Sequence, residues 1–131
     1  MASGLPPITL NTPDHCIADV CIIPIGTGSP SVSTEVAAIQ TLLARSGLKY
    51  IMHSAGTTIE GSWDEVMRVI GQAHQMLHEN NILRVQSDIR VGTRTDKSQT
   101  AQQKVDKVHQ ILQGQGLAQL EGQPEQKKIQ G

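Results

Sequence analysis

HSAGTTIEGSWDE, residues 53–65, is the stretch on which the fold turns. It begins inside LKYIMHS (residues 48–54), which has the length and composition of a strand. Gly56 permits a reversal, and TTIE (residues 57–60) makes a short returning strand. Ser62 stands three residues before Glu65, the S-x-x-E pattern of a helix capping box. From there Val66, Ile70, Ala73 and Leu77 recur at helical spacing, with Trp63 and Met67 flanking them, to about Asn80. Strand, reversal, strand and helix follow with no spare residues. Turn amides, hydroxyls, a histidine and the only tryptophan fall together in this stretch, so part of any site is expected in this one corner.

Working outward, IADVCIIPI (residues 17–25) is an apolar strand closed by Gly26. Both of its parities are largely apolar, which predicts burial on both faces. A helix follows to about Ser46, with Val32, Val36, Ile39 and Leu43 on one stripe, Ser29 or Ser31 as its cap and Gly47 as its terminator. Downstream, ILRVQSDIRV (residues 82–91) alternates: Leu83, Val85, Ser87, Ile89 and Val91 share one parity, and Arg84, Gln86, Asp88 and Arg90 the other. A third helix runs from about Ser98 to Gln113 on Ala101, Val105, Val108 and Leu112.

The order β-α-β-β-α-β is that of an α+β ferredoxin-like sandwich, a four-stranded antiparallel sheet with both helices on one face, here with an extra C-terminal helix. Residues 16–113 form the expected domain. Residues 1–15, with three prolines and no periodicity, are expected to be a flexible N-terminal segment, and residues 114–131 a disordered Gln/Gly-rich tail. The two-sided first strand and the polar parity of residues 84–90 give the uncovered sheet face a mixed character. Such a face suits sheets packing between subunits, in a homodimer or homotetramer, with a polar pocket near the contacts. A third helix folded over that face is the alternative.

The net charge of −1, from 11 basic and 12 acidic residues, gives no pull toward nucleic acid or an acidic membrane. Aromatics at 2% argue against base stacking. Cys16 and Cys21 are too few for a disulfide scaffold or a structural zinc site, and read as thiols in a reducing compartment. With no signal segment and no membrane-length apolar run, a cytoplasmic location is expected.

The loop from Gly26 to Ser31 precedes a helix start and could greet an anion, but it lacks the lysine of a Walker loop and the third glycine of a dinucleotide loop. His74 and His78 stand one helical turn apart with no third metal ligand in view, and His109 stands alone. His53 and Ser54, as neighbours on a strand, point to opposite faces and make a poor base and nucleophile. Asp88, between Arg84 and Arg90, is either a surface ion-pair group or a carboxylate for a small cationic heterocycle. In the second reading Thr57, Thr58 and His53 supply polar contacts and Trp63 a flat wall.

Three segments carry a family resemblance: ADVCIIPIGTGSPSVS (residues 18–33), LKYIMHSAGTTIEGSWDEVM (residues 48–67) and LRVQSDIRVGTRTDK (residues 83–97). The chain resembles the thiamine-binding protein family over residues 17–112, in its eukaryotic, fungal-type branch. The resemblance implies ferredoxin-like subunits that pair through their sheets, no established catalytic activity, no required cofactor, and binding of thiamine or its hydroxymethylpyrimidine part. By position it points to Pro24, Gly26, Thr27, Ser31, Ser33, Thr57, Thr58, Ile59, Glu60, Asp88 and Arg90. The expected partners are copies of the chain itself and a small-molecule ligand, with no nucleic acid and no membrane. The alternatives are an oligomeric regulatory scaffold, or an enzyme of unknown reaction using the same pocket.

Overall fold

Strand β1 (Cys16–Ile25) is the longest in the sheet, and the other elements are laid around it. They are α1 (Ser33–Ser46), β2 (Lys49–His53), β3 (Gly56–Gly61), α2 (Trp63–Glu79), β4 (Arg84–Gly92) and α3 (Ala101–Gly114). The computed structural model describes residues 4–116, so most of the expected tail lies outside the described residues. All pairings are antiparallel and the sheet order is β2-β3-β1-β4, the ferredoxin-like arrangement. The chain divides after Asp96 into two units, and α3 belongs to the second.

The alternation of β1 explains the core. Cys16, Ala18 and Val20 are buried toward the helices, with Ile22 packed beside them. Across the sheet they meet Ile59 of β3, and Val85 and Val91 of β4. Helix α2 closes this layer with Val66, Val69, Ile70, Ala73 and Leu77, and α1 with Ile39 and Leu43. Ser62 caps α2 as its sequence predicts, accepting the Glu65 N–H at 3.2 Å. α1 differs from expectation. Its N-cap is Val32, with no side-chain cap, and Ser31 Oγ only meets the Ser33 N–H at 3.4 Å.

The start of β4 also differs. Asn81 takes a left-handed conformation (φ 68°), Ile82 N–H bonds Leu77 O and Asn81 N–H bonds His78 O. This is a Schellman closure of α2, which turns Ile82 onto the core beside Leu77. Leu83, read as a core-parity strand residue, is therefore 91% exposed, and β4 begins one residue later.

The N-terminal segment is tied down at its end. The Trp63 N–H donates to Pro13 O at 3.2 Å, Thr12 Oγ1 donates to Asp64 Oδ1 at 2.9 Å, and His15 Nε2 lies 3.3 Å from Glu60 Oε2. In the second unit, Thr100 and Gln103 form a reciprocal capping box at the start of α3. No residue of α3 is buried, and Val105, Val108 and Ile111 are exposed. Among the described residues no helix is long and apolar enough to cross a membrane.

Candidate functional site

The pairing of β1 with β3 ends at Val20 opposite Thr57, while β1 runs on to Ile25 paired with β4 alone. A gap opens where β3 would have continued, because the chain has already reversed through Ser54 and Ala55 into β2. The reversal is pressed close against β1: a Cβ on Gly56 would lie 2.6 Å from Val20 O. Val36, Ile39, Gln40 and Leu43 of α1 roof the gap, and Val69, Ile70 and Ala73 of α2 also line it. The result is a cavity of about 230 Å³ between α1, the far half of β1 and the β2–β3 turn.

Its walls are mainly apolar, with Ile22, Pro24, Val32, Val36 and Ile39 among them. Its polar side chains are few. Gln40 Nε2 donates to Thr57 Oγ1 at 2.9 Å, and Thr57 is only 5% exposed. The Thr57 hydroxyl accepts in this bond and keeps its own proton to give. Ser54, Ala55 and Gly56 bring the turn's main chain to the rim. Apolar walls with a few placed hydrogen-bonding groups are the usual constitution of a small-molecule pocket, and this volume suits one ring rather than a drug-sized ligand of roughly 300 Å³ or more.

The opposite sheet face has another chemistry. One row crosses it from Ile51 through Thr58 and Asp19 to Arg90. His53 Nε2 lies 2.6 Å from Asp19 Oδ1, and His53 Nδ1 accepts the Ala55 N–H at 3.2 Å. With Nδ1 occupied as an acceptor, the ring proton sits on Nε2 and is donated to Asp19. Glu60, on the same face, meets His15. Asp88 stands opposite Cys21, two rungs from the Asp19–Arg90 pair.

The residues expected from the sequence are thus distributed over four places. Thr57 and Pro24 line the cavity, and His53 borders it from the far face. Thr58, Glu60, Asp88 and Arg90 share that far face, on the other side of the sheet from the cavity. Gly26, Thr27, Ser31 and Ser33 form the β1–α1 turn, where Gly26 (φ 79°) takes the left-handed conformation and Thr27 Oγ1 donates to Ser29 O. Trp63 is half-buried against the core at the opposite end of β3 from His53. The strand between them spans roughly 17 Å, so the tryptophan and the turn do not share a corner. His74 Nε2 is engaged with Ser87 Oγ at 3.0 Å and His78 Nδ1 with Ile82 O at 2.8 Å, each ring thus having a separate partner.

Gln40 and Asp19 were missed in the sequence. Gln40 could have been found, since it stands four residues after Val36 and three before Leu43, within the inward stripe of α1. Asp19 sits in an apolar run and gives a local signal only as its one charge.

Residues 18–109 match the family described as thiamine-binding protein. The chain belongs to that family. Protein ECM15 of Eremothecium gossypii is 54% identical over 98 residues, which cover 75% of this chain and 93% of that protein. A Synechocystis member is 45% identical over 99 residues, 76% of this chain and 81% of the relative. The crystal structure of a Methanocaldococcus jannaschii relative, 32% identical, gives a TM-score of 0.66 over 72% of this chain and 96% of that one. A Thermotoga maritima structure, described as that of a candidate thiamine biosynthesis or salvage protein, gives 0.62 over 72% of this chain and 98% of its own. At 18% identity it bears on the fold alone. These two solved structures share the ferredoxin-like α+β architecture that the strand order displays.

Proposed function

We propose that this protein binds thiamine, or its hydroxymethylpyrimidine part, with the pyrimidine ring in the cavity between α1 and the far half of β1. The reading is of a carrier or sensor that holds its ligand and releases it unchanged. It is supported by family membership and above all by one observation: an apolar cavity of about 230 Å³ whose polar pair is half-buried Gln40 with buried Thr57. An uncharged apolar slot with hydroxyl and amide partners holds a flat ring by burial and orients it by hydrogen bonds.

Assembly with copies of the chain belongs to the same proposal. The far sheet face carries Ile51, 53% exposed, beside Asp19 and Arg90. A second copy, related by a two-fold axis, can set acid against base across such a patch while covering its apolar parts.

Calorimetry with thiamine and with hydroxymethylpyrimidine tests the binding claim. Saturable heat is expected with at least one of them, and Thr57→Val is expected to weaken it at least tenfold. Absence of heat from both at millimolar ligand overturns the proposal.

A further inference from the structure

The main chain of β1 carries a feature that its side chains hide. In an antiparallel ladder each residue directs both its N–H and its C=O to one side, and the side alternates along the strand. His53 and Gly56 flank a two-residue turn and therefore exchange their groups with each other. Thr57 then faces β1, so Val20 opposite it faces β3, in keeping with the closeness of Val20 O to Gly56. By the same alternation Cys21 and Ile23 face β4, where Asp88 and Gln86 meet them. Ile22 and Pro24 face the gap.

Among the described residues nothing occupies the rung opposite Ile22. Ala55, which would stand there, gives its N–H to His53 Nδ1, and Ile22 has no main-chain bond to the turn. Pro24 has no N–H to leave unsatisfied, which is why a proline is tolerated inside this strand. One donor, the Ile22 N–H, and two acceptors, Ile22 C=O and Pro24 C=O, therefore lie along the vacant edge. The cavity reaches this edge. Cys21 and Ile23, whose side chains belong to the other sheet face, also border it, as His53 does.

We infer that the vacant rung at Ile22 is the recognition edge of the cavity, and that it selects a planar heterocycle bearing an acceptor ring nitrogen beside an amino group. The inference rests on the binding reading above and names the main-chain atoms that hold the pyrimidine. Ile22 N–H donates to the ring nitrogen, and Ile22 C=O accepts from the amino group. The ligand thereby completes a rung of the ladder that the protein leaves unmade, as an added strand does at a sheet edge. The apolar walls of Ile39 and Val36 lie against the ring, and the Thr57 hydroxyl has a proton for a further acceptor. Recognition by main chain explains how a cavity with so few polar side chains can discriminate among rings. A ring without the amino donor leaves a desolvated carbonyl unpaired, and such a loss costs more than the bond itself contributes.

The test compares hydroxymethyl-aminopyrimidine with the same ring lacking the amino group, by calorimetry and by amide NMR of the full chain. The amino form is expected to bind at least tenfold more tightly. Its binding is expected to move the Ile22 amide proton downfield and slow its exchange, and to leave the ladder-bonded Cys21 and Ile23 amides nearly unchanged. Equal affinity for the two rings, or an unmoved Ile22 amide on saturation, overturns the inference while leaving the binding proposal standing. If neither ring nor thiamine binds at millimolar concentration, the binding proposal fails and this inference fails with it.

Discussion

Gly56 shows how a residue can be read correctly for position and wrongly for cause. In the sequence it stands as the glycine that lets the chain reverse. In the structure its φ is not positive, and what it provides is room for Val20 O, which a Cβ would approach to 2.6 Å. Gly56→Ala must push the turn off β1. A loss of about 1–3 kcal/mol is expected, the range for overpacking a fitted contact, read as a lower denaturation midpoint at unchanged slope. Cys16 gives a pH dependence. Burial raises its thiol above the ordinary value, so the unfolded chain loses this proton at lower pH than the folded one. The contribution is whole below the ordinary thiol range and is lost as pH climbs through it toward the raised folded value. Thermal stability is expected to fall at alkaline pH, read as a lower Tm, and Cys16→Ala to remove that part of the fall.

Among the elements, α2 was the most legible, because an explicit cap, a steady apolar stripe and two asparagines at its end all agree. Ser62→Ala is expected to cost about 1 kcal/mol, measured by chemical denaturation, since it removes the acceptor for the Glu65 N–H. β4 was legible in parity but not in its start. Its first apolar residues alternate as a strand would, yet Ile82 is claimed by the Schellman closure of α2, which sets the phase by which Leu83 faces outward. The start of α1 was misread for a related reason. Three serines compete there, and they hydrogen-bond with one another and with the turn rather than capping the helix.

For the molecule as a whole, the sandwich could be read from element order, because few topologies fit β-α-β-β-α-β. The cavity could not. It arises because β1 has ten residues and β3 only six, so that β1 overruns its neighbour. The consequence depends on register, which puts the excess on the side of the β2–β3 turn and under α1. The sequence therefore gathered Thr57, Thr58, Glu60, Asp88 and Arg90 into one pocket, whereas alternation sends Thr57 to one face and the other four to the opposite face. That division gives the two faces separate expected roles, ligand on one and a second copy on the other. Light scattering is expected to show at least a dimer, reduced toward monomer in Arg90→Glu, which sets an acid beside Asp19. A monomeric wild-type protein would contradict the assembly claim and leave the cavity untouched.

The division of faces is itself the central claim, and methyl NMR of the isoleucines and valines during titration with thiamine tests it most directly. The predicted result is perturbation concentrated at Ile22, Val32, Val36 and Ile39, with Ile17 and Ile51 still. Perturbation concentrated at Ile17 and Ile51, with the cavity methyls unmoved, would place the ligand on the opposite face and contradict the account.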